Sequence, residues 1–440
     1  MSKMSVCDRE FRLEHSDCTW SRRRADCVPT GGRLSDAKIY ESHTKEGVTW
    51  TVVSPIIFTY RVIQSENLLD VRNDTLLLGH TSSAEEHQTL QSISRQIKRF
   101  IVIDETVNHL YGSQVKAYFE ARKVTYRILP LPTTEENKSM TLVTLVLEEI
   151  HKFGLDRRTE PIIAIGGGVC LDIVGFAASL YRRRTPYIRV PTTLLAYIDA
   201  SVGAKNGVNF MDCKNKLGSY VPPVAAFLDR TFLKSLPRRH ISNGLAEMMK
   251  MALMKHKELF ELLEKEGRRL LDSRFQSSST TQESVCPDAA SVCTRLAIES
   301  MLEELAPNLW EDELDRLVDF GHIISPELEM QVLPELLHGE AVNIDMAFMV
   351  YVAHERGFLS EQEKRRIVAC MQSLDLPVWH SHCSLELILK SLNDRLKHSA
   401  GSLRMPLPTA LGKARIFNDT EEMVVCQAFK KWCEELCEKP

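Results

Sequence analysis

The chain has 440 residues, 44% hydrophobic and 26% charged, with a formal net charge of −4. That length supports more than one core, and the near-neutral balance argues against a nucleic-acid partner. No apolar run approaches the ~20 residues that span a bilayer, so a helical membrane protein is excluded. The stretch through Cys27 is charged throughout and lacks the apolar centre of a signal peptide, so a cytoplasmic location is expected. Twelve cysteines without C-x-x-C spacing read as reduced thiols, and none is assigned a function.

Residues 1–45 are polar and aperiodic, and the expectation is a flexible extension. Residues 48–53 and 56–62 read as two strands joined across Ser54-Pro55. Residues 99–103 form an apolar run that ends at Asp104, which by itself reads as the cap of a helix ending near Tyr111. Residues 124–129 predict the next strand, followed by Glu135 and Lys138, a surface pair by spacing alone. An amphipathic helix over 141–153 leads to PIIAI at 161–165, the pattern of a buried parallel strand.

That strand meets Gly166-Gly167-Gly168, after which Val169, Ile173, Val174, Phe176, Ala177 and Leu180 take helical spacing. Strand, glycine turn and helix together offer amide N–H groups and a positive helix end to a diphosphate, with Asp172 in the first turn. A plain structural turn would use the same glycines, since G-x-G-x-x-G is absent. Arg182, Arg183 and Arg184 follow, then a second strand over 187–190. Asp199, Lys205, Lys214 and Asn215 sit in a glycine- and asparagine-rich segment poor in large apolar side chains. Such a segment lines a site for an anionic, polyhydroxylated ligand or is a solvated loop.

Strands alternating with helices predict a doubly wound parallel sheet through about residue 236. The expected fold is α/β: a Rossmann-like domain over 46–236, then an all-helical domain over 237–440 with a surface insertion at about 274–293. In the helical half, residues 241–263 read as one helix carrying Glu247 and Lys250 three apart on one face. Helices are also expected over 295–305, 332–357, 361–371, 385–396 and from Glu421. Glu247, His322 and His338 form a possible oxygen–nitrogen–nitrogen set, but fourteen histidines allow many such triples. Taken singly, His322 reads more simply as a core histidine.

The block GGGVCLDIVGFAASLYRRRTPYIRVPTTLLAYIDASVGAKNGVN…KNKLG, with GLAEMMKMAL, DFGH and LLHGEAVNIDM, resembles the dehydroquinate synthase superfamily, the sugar phosphate cyclases. The resemblance runs from about Val102 to Phe417. It implies a homodimer that uses NAD and a metal, Zn2+ with Co2+ possible, held by Glu247, His322 and His338. Asp104, Glu135, Lys138, Gly167, Gly168, Val169, Asp172, Thr192, Thr193 and Lys214 are implied on the dinucleotide. Arg183, Lys205, Lys250, Asp199, Asn215 and Lys214 are implied on the substrate. The implied reaction is transient oxidation, phosphate elimination, reduction and intramolecular aldol closure, with NAD used but not consumed.

Dehydroquinate synthases usually read N-x-G-H-x-x-G-H-A around the metal histidine, whereas this chain has Asp319 and Pro326 at the asparagine and second histidine. An arginine expected seven residues before that histidine is Asp315, with Arg316 one place later. These changes add negative charge and remove a donor, which disfavours a substrate carboxylate. They resemble the branch that cyclises sedoheptulose 7-phosphate to a valiolone epimer, and His398 falls where that branch carries a histidine. The other readings are a sister cyclase of the same substrate, a dehydroquinate synthase, or an iron-type polyol dehydrogenase.

Overall fold

The computed structural model describes residues 38–44, 47–53, 57–81, 88, 97–211, 213–276, 288–398, 401–419 and 421–436. One unit, reaching to Thr59, holds an antiparallel hairpin of β1 (Lys38–Thr44) and β2 (Gly47–Val53). The second, Tyr60–Pro440, contains everything described below.

Its sheet has six parallel strands: β3 (Arg61–Gln64), β4 (Lys98–Asp104), β5 (Thr125–Leu131), β6 (Ile162–Gly166), β7 (Tyr187–Pro191) and β10 (Ala225–Leu228), in the order β3-β10-β7-β6-β4-β5. Side chains alternate across a strand, and here both faces are covered. Phe100, Val102, Ile162 and Ala164 join Val146 and Ile150 of helix Met140–Phe153 on one face. Ile101, Ile103, Ile163 and Ile165 join Val115 and Phe119 of helix Glu105–Ala121 on the other. Burial on both faces is why these strands read as continuous apolar runs.

From β4 the chain moves outward to β5, then crosses back to β6 and continues away through β7 and β10. The order therefore reverses between β4 and β6, and the crevice outside their carboxyl ends is where doubly wound sheets bind ligands. Asp104 closes β4 there, and Gly166 closes β6. A second hairpin, β8 (Lys205–Phe210) and β9 (Cys213–Tyr220), occupies the glycine- and asparagine-rich segment. Behind it, fully buried Arg189 of β7 donates to the carbonyls of Ala200, Gly203 and Lys205 at 2.6–2.8 Å and to Asn206 Oδ1 at 2.7 Å. That cation fixes the loop from which Asp199 and Lys205 project.

Several elements differ from the expectation. The N-terminal hairpin pairs β2 with Lys38–Thr44, inside the stretch read as flexible, and residues 1–37 and 54–56 lie outside the described residues. The helix after Asp104 runs on to Ala121, well past Tyr111. The single helix over 241–263 is two, Arg238–Met254 and Lys257–Asp272. Lys255 and His256 leave the helical region there, while Lys255 Nζ pairs with Glu304 at 2.8 Å. The expected insertion ends sooner: residues 277–287 are outside the described residues, but Asp288 caps helix Ala289–Leu305 by accepting from Ala290 N. The proline-containing tail forms a two-stranded sheet, β11 (Met405–Ala410) with β12 (Lys413–Phe417), where proline is tolerated because the strands are edges.

Candidate active site

Glu247 lies one turn beyond Asn243 on helix Arg238–Met254, and His338 opens helix His338–Glu355. These helices touch where Gly339 N donates to Asn243 Oδ1 at 2.6 Å. A Cβ on Gly339 would stand 2.0 Å from the Asn243 carbonyl oxygen, so only glycine permits the approach that sets His338 beside Glu247. His322 comes from the segment before helix Ser325–Val332, where Gly321 takes a φ of +78° against Met346 and Val342. The carboxylate of Asp345 accepts the amides of Ile323, Ile324 and Ser325 at 2.6–2.9 Å and anchors that segment. Pro326 stands in the first turn of the helix, a position suited to its fixed φ.

The ligand atoms of Glu247, His322 and His338 all lie within 4.8 Å of one another. Nε2 of His322 and of His338 stand 3.7 and 3.5 Å from Glu247 Oε1. His322 Nδ1 donates to the Phe320 carbonyl at 3.1 Å, which leaves the Nε2 lone pair facing inward. His338 Nδ1 donates to Glu329 at 2.9 Å, an arrangement that orients metal-bound histidines. Both oxygens of Glu247 are buried without a hydrogen-bond partner, although Lys250 Nζ lies 2.5 Å from Oε2. Buried, orphaned carboxylate oxygens facing two imidazole nitrogens fit a divalent cation.

Electrostatics follow from this packing. Burial opposes ionisation of Glu247, but Lys250 and the two histidines hold its carboxyl well below the usual range. Lys250, buried between Glu247 and Asp199 Oδ2 at 3.2 Å, is held protonated by both against its burial. Burial pushes the His322 imidazole down to about 3. Burial and Lys214 also oppose charge on His338, yet Glu329 and Glu247 outweigh them and hold it up to about 9. A cation at Nε2 must therefore displace a proton, and metal binding to metal-free protein at pH 7–8 is expected to release about one proton. The release should fade as pH rises through about 9, where the group is already neutral. Calorimetric titration in buffers of different ionisation enthalpy measures it; equal heats in all buffers would refute it.

On the nucleotide side, Leu171 N makes the first intrahelical bond, to the Gly167 carbonyl at 3.1 Å. The amides of Gly168, Val169 and Cys170 precede it, and no side chain caps the helix. A Cβ on Gly168 would meet only Ala200, at 3.5 Å, so the space above the turn is open to a diphosphate. Lys138 Nζ bonds Asp172 Oδ2 and Asn215 Oδ1, each at 2.7 Å, and Glu135 accepts from Asn209 at 2.9 Å. Thr192 N ties the end of β7 to the Gly166 carbonyl, while Thr193 Oγ1 accepts from Ala196 N. Asp104 caps helix Glu105–Ala121 through Val107 N at 3.0 Å and accepts from Thr133 at 2.5 Å.

Not every expected residue meets the triad. Lys205 Nζ bonds Glu311 at 2.5 Å, and its dense surroundings, with the Arg316 cation next in weight, lower its ammonium to about 8. Lys214 does not face open space: it bonds both oxygens of Glu329 at 2.5 Å and stands 3.0 Å from His338 Nδ1. Asp319 is not a bare charge, because Arg316 and Arg395 bond its Oδ2 at 2.9 and 3.0 Å. Arg183 sits beyond the far end of helix Gly168–Leu180, about 20 Å along its axis from the glycine turn, by the amino ends of the strands. The side chain of His398 lies outside the described residues.

The chain belongs to the dehydroquinate synthase family: the description 3-dehydroquinate synthase N-terminal matches residues 128–243, and 3-dehydroquinate synthase C-terminal matches 244–398. The 2-epi-5-epi-valiolone synthase of Actinoplanes sp. is 48% identical over 371 residues, 84% of this chain and 90% of that one. The demethyl-4-deoxygadusol synthase of Trichormus variabilis is 38% identical over 338 residues, 76% and 81% of the two chains. Among solved structures, 2-epi-5-epi-valiolone synthase of Streptomyces hygroscopicus subsp. jinggangensis 5008, with NAD+ and Zn2+ bound, matches with a TM-score of 0.79. It is 44% identical, and the match covers 88% of this chain and 100% of that one.

Proposed function

We propose that this chain is a lyase that cyclises sedoheptulose 7-phosphate to 2-epi-5-epi-valiolone and releases phosphate. The observation that carries the reading is the buried Glu247–His322–His338 triad beside Lys250, on a chain 44–48% identical to synthases of that product. Glu247, His322 and His338 would hold Zn2+, or Co2+, which suits the same donors. Gly167, Gly168, Val169, Asp172 and Lys138 would hold NAD+. When bound, the metal polarises adjacent substrate oxygens and the dinucleotide supplies a reversible hydride acceptor.

The chain's own residues then position the substrate and move protons. Lys250 and Asp199, 3.2 Å apart beside the triad, form an acid–base pair, and burial keeps the Asp199 carboxyl above the usual range. Lys205, half-exposed and still largely cationic at neutral pH, is placed to hold a phosphate. Arg316 and Arg395 are both bonded to Asp319, which leaves a substrate carboxylate without those partners and favours a ketose phosphate that carries none. A homodimer is part of the proposal, supported by the family likeness.

The test is incubation of metal-loaded protein with sedoheptulose 7-phosphate and catalytic NAD+, following phosphate release and the product's NMR spectrum. Phosphate release without net NADH, yielding 2-epi-5-epi-valiolone, is expected. A different cyclitol, such as demethyl-4-deoxygadusol, would move the protein to a sister activity. Steady accumulation of NADH would overturn the cyclase reading.

A further inference from the structure

We propose that the β8–β9 hairpin couples dinucleotide binding to metal binding, with Asn215 and Lys214 as its positioning residues. The inference rests on the reading that this chain takes both groups. Asn215 takes a φ of +53° where the β8–β9 ladder is interrupted by a bulge, and from there it and Lys214 reach two halves of the site. Asn215 Oδ1 accepts from Lys138 Nζ at 2.7 Å, next to Asp172 and the glycine-turn helix. Lys214 Nζ, one residue away, bonds Glu329 at 2.5 Å, and Glu329 in turn bonds the metal ligand His338 at 2.9 Å. No link between Lys138 and His338 exceeds 3.0 Å.

The hairpin is also clamped to the nucleotide side through its other strand. Asn209 N donates to the Lys138 carbonyl and Asn209 Nδ2 to Glu135 Oε1, both at 2.9 Å, while Asn209 Oδ1 accepts from Asn215 N at 2.9 Å. Towards its turn, Phe210 and Met211 are 45% and 79% exposed. A dinucleotide seated against Lys138 fixes the hairpin and, with it, Lys214 and Glu329 behind His338. The second group to bind then meets an ordered site and spends less free energy ordering it, which is positive coupling. By linkage, the metal must tighten NAD+ by the same factor.

Metal-free protein is titrated with Co2+, read by its visible absorption bands, with and without NAD+ at saturating concentration. Wild type is expected to bind Co2+ about five-fold or more tightly with NAD+ present, and NAD+ tighter by the same ratio with metal present. In Asn215→Ala the ratio should fall to one, and Asn215→Asp, which keeps the acceptor for Lys138, should retain it. Lys214→Met should also bring the ratio to one. A wild-type ratio of one with both groups bound overturns the coupling and leaves the proposed function standing. A full ratio in both Asn215→Ala and Lys214→Met overturns the route. Failure of wild type to bind either group sinks the functional reading itself.

Discussion

Glu247→Gln is expected to cost the protein its metal while leaving its fold in place. The amide keeps the shape of a buried side chain but removes the only anion among the three ligands. Zinc sites in small domains bind with apparent free energies of about 10–16 kcal/mol, so one ligand of three carries on the order of 4 kcal/mol, about 10³ in Kd. Elemental analysis of the purified variant should find roughly a tenth of an equivalent or less, with phosphate release lost in step. Thermal unfolding without metal should change little, because Lys250 keeps Asp199 as a partner. A variant that retains a full equivalent at wild-type affinity would mean that the triad is not the metal site.

Lys250→Met acts on the same cluster from the other side. It leaves Glu247, fully buried, and Asp199 without the cation between them. Removing one partner of a buried pair costs about 3–5 kcal/mol, and metal-free protein should lose stability of that order in urea denaturation. Added Zn2+ should recover most of the loss, since a divalent cation supplies the missing charge beside Glu247. Turnover should stay low even when loaded, by roughly 10²–10⁴-fold, the usual worth of a positioned proton donor or acceptor. An equal stability loss with and without Zn2+ would mark Lys250 as a packing element only.

Much of the sheet was written plainly in the sequence, for a physical reason. Strands such as Ile162–Gly166 are buried on both faces, so they appear as unbroken apolar runs, and Gly166-Gly167-Gly168 marks where the run must turn. The triad was not legible from spacing. Its members come from three separate segments brought together by close helix packing at Gly339 and by the Gly321 turn, so only the family likeness singled them out. Glu329 went unread because a lone glutamate on a short helix carries no pattern; its meaning lies in His338 and Lys214. Arg189 left a fainter signal, a cation in the middle of YIRVP, where an unpaired charge would be costly to bury. The break at Lys255 and His256 was invisible for the opposite reason: local propensity favours one helix, and tertiary contacts override it.

The bridge from Arg316 through Asp319 to Arg395 bears on any attempt to retarget this enzyme. Arg395 also donates to the Leu403 carbonyl at 2.9 Å, so it braces helix Leu385–His398 against the start of β11. Exchanging Asp319 alone for a neutral residue would remove the anion between the two guanidinium groups, leaving Arg316 to Glu311 and Arg395 to the Leu403 and Arg404 carbonyls. A graft that aims to admit an acidic sugar has to transplant all three positions together. If the bridge sets substrate choice as proposed, its three residues form one unit, tied together through Asp319.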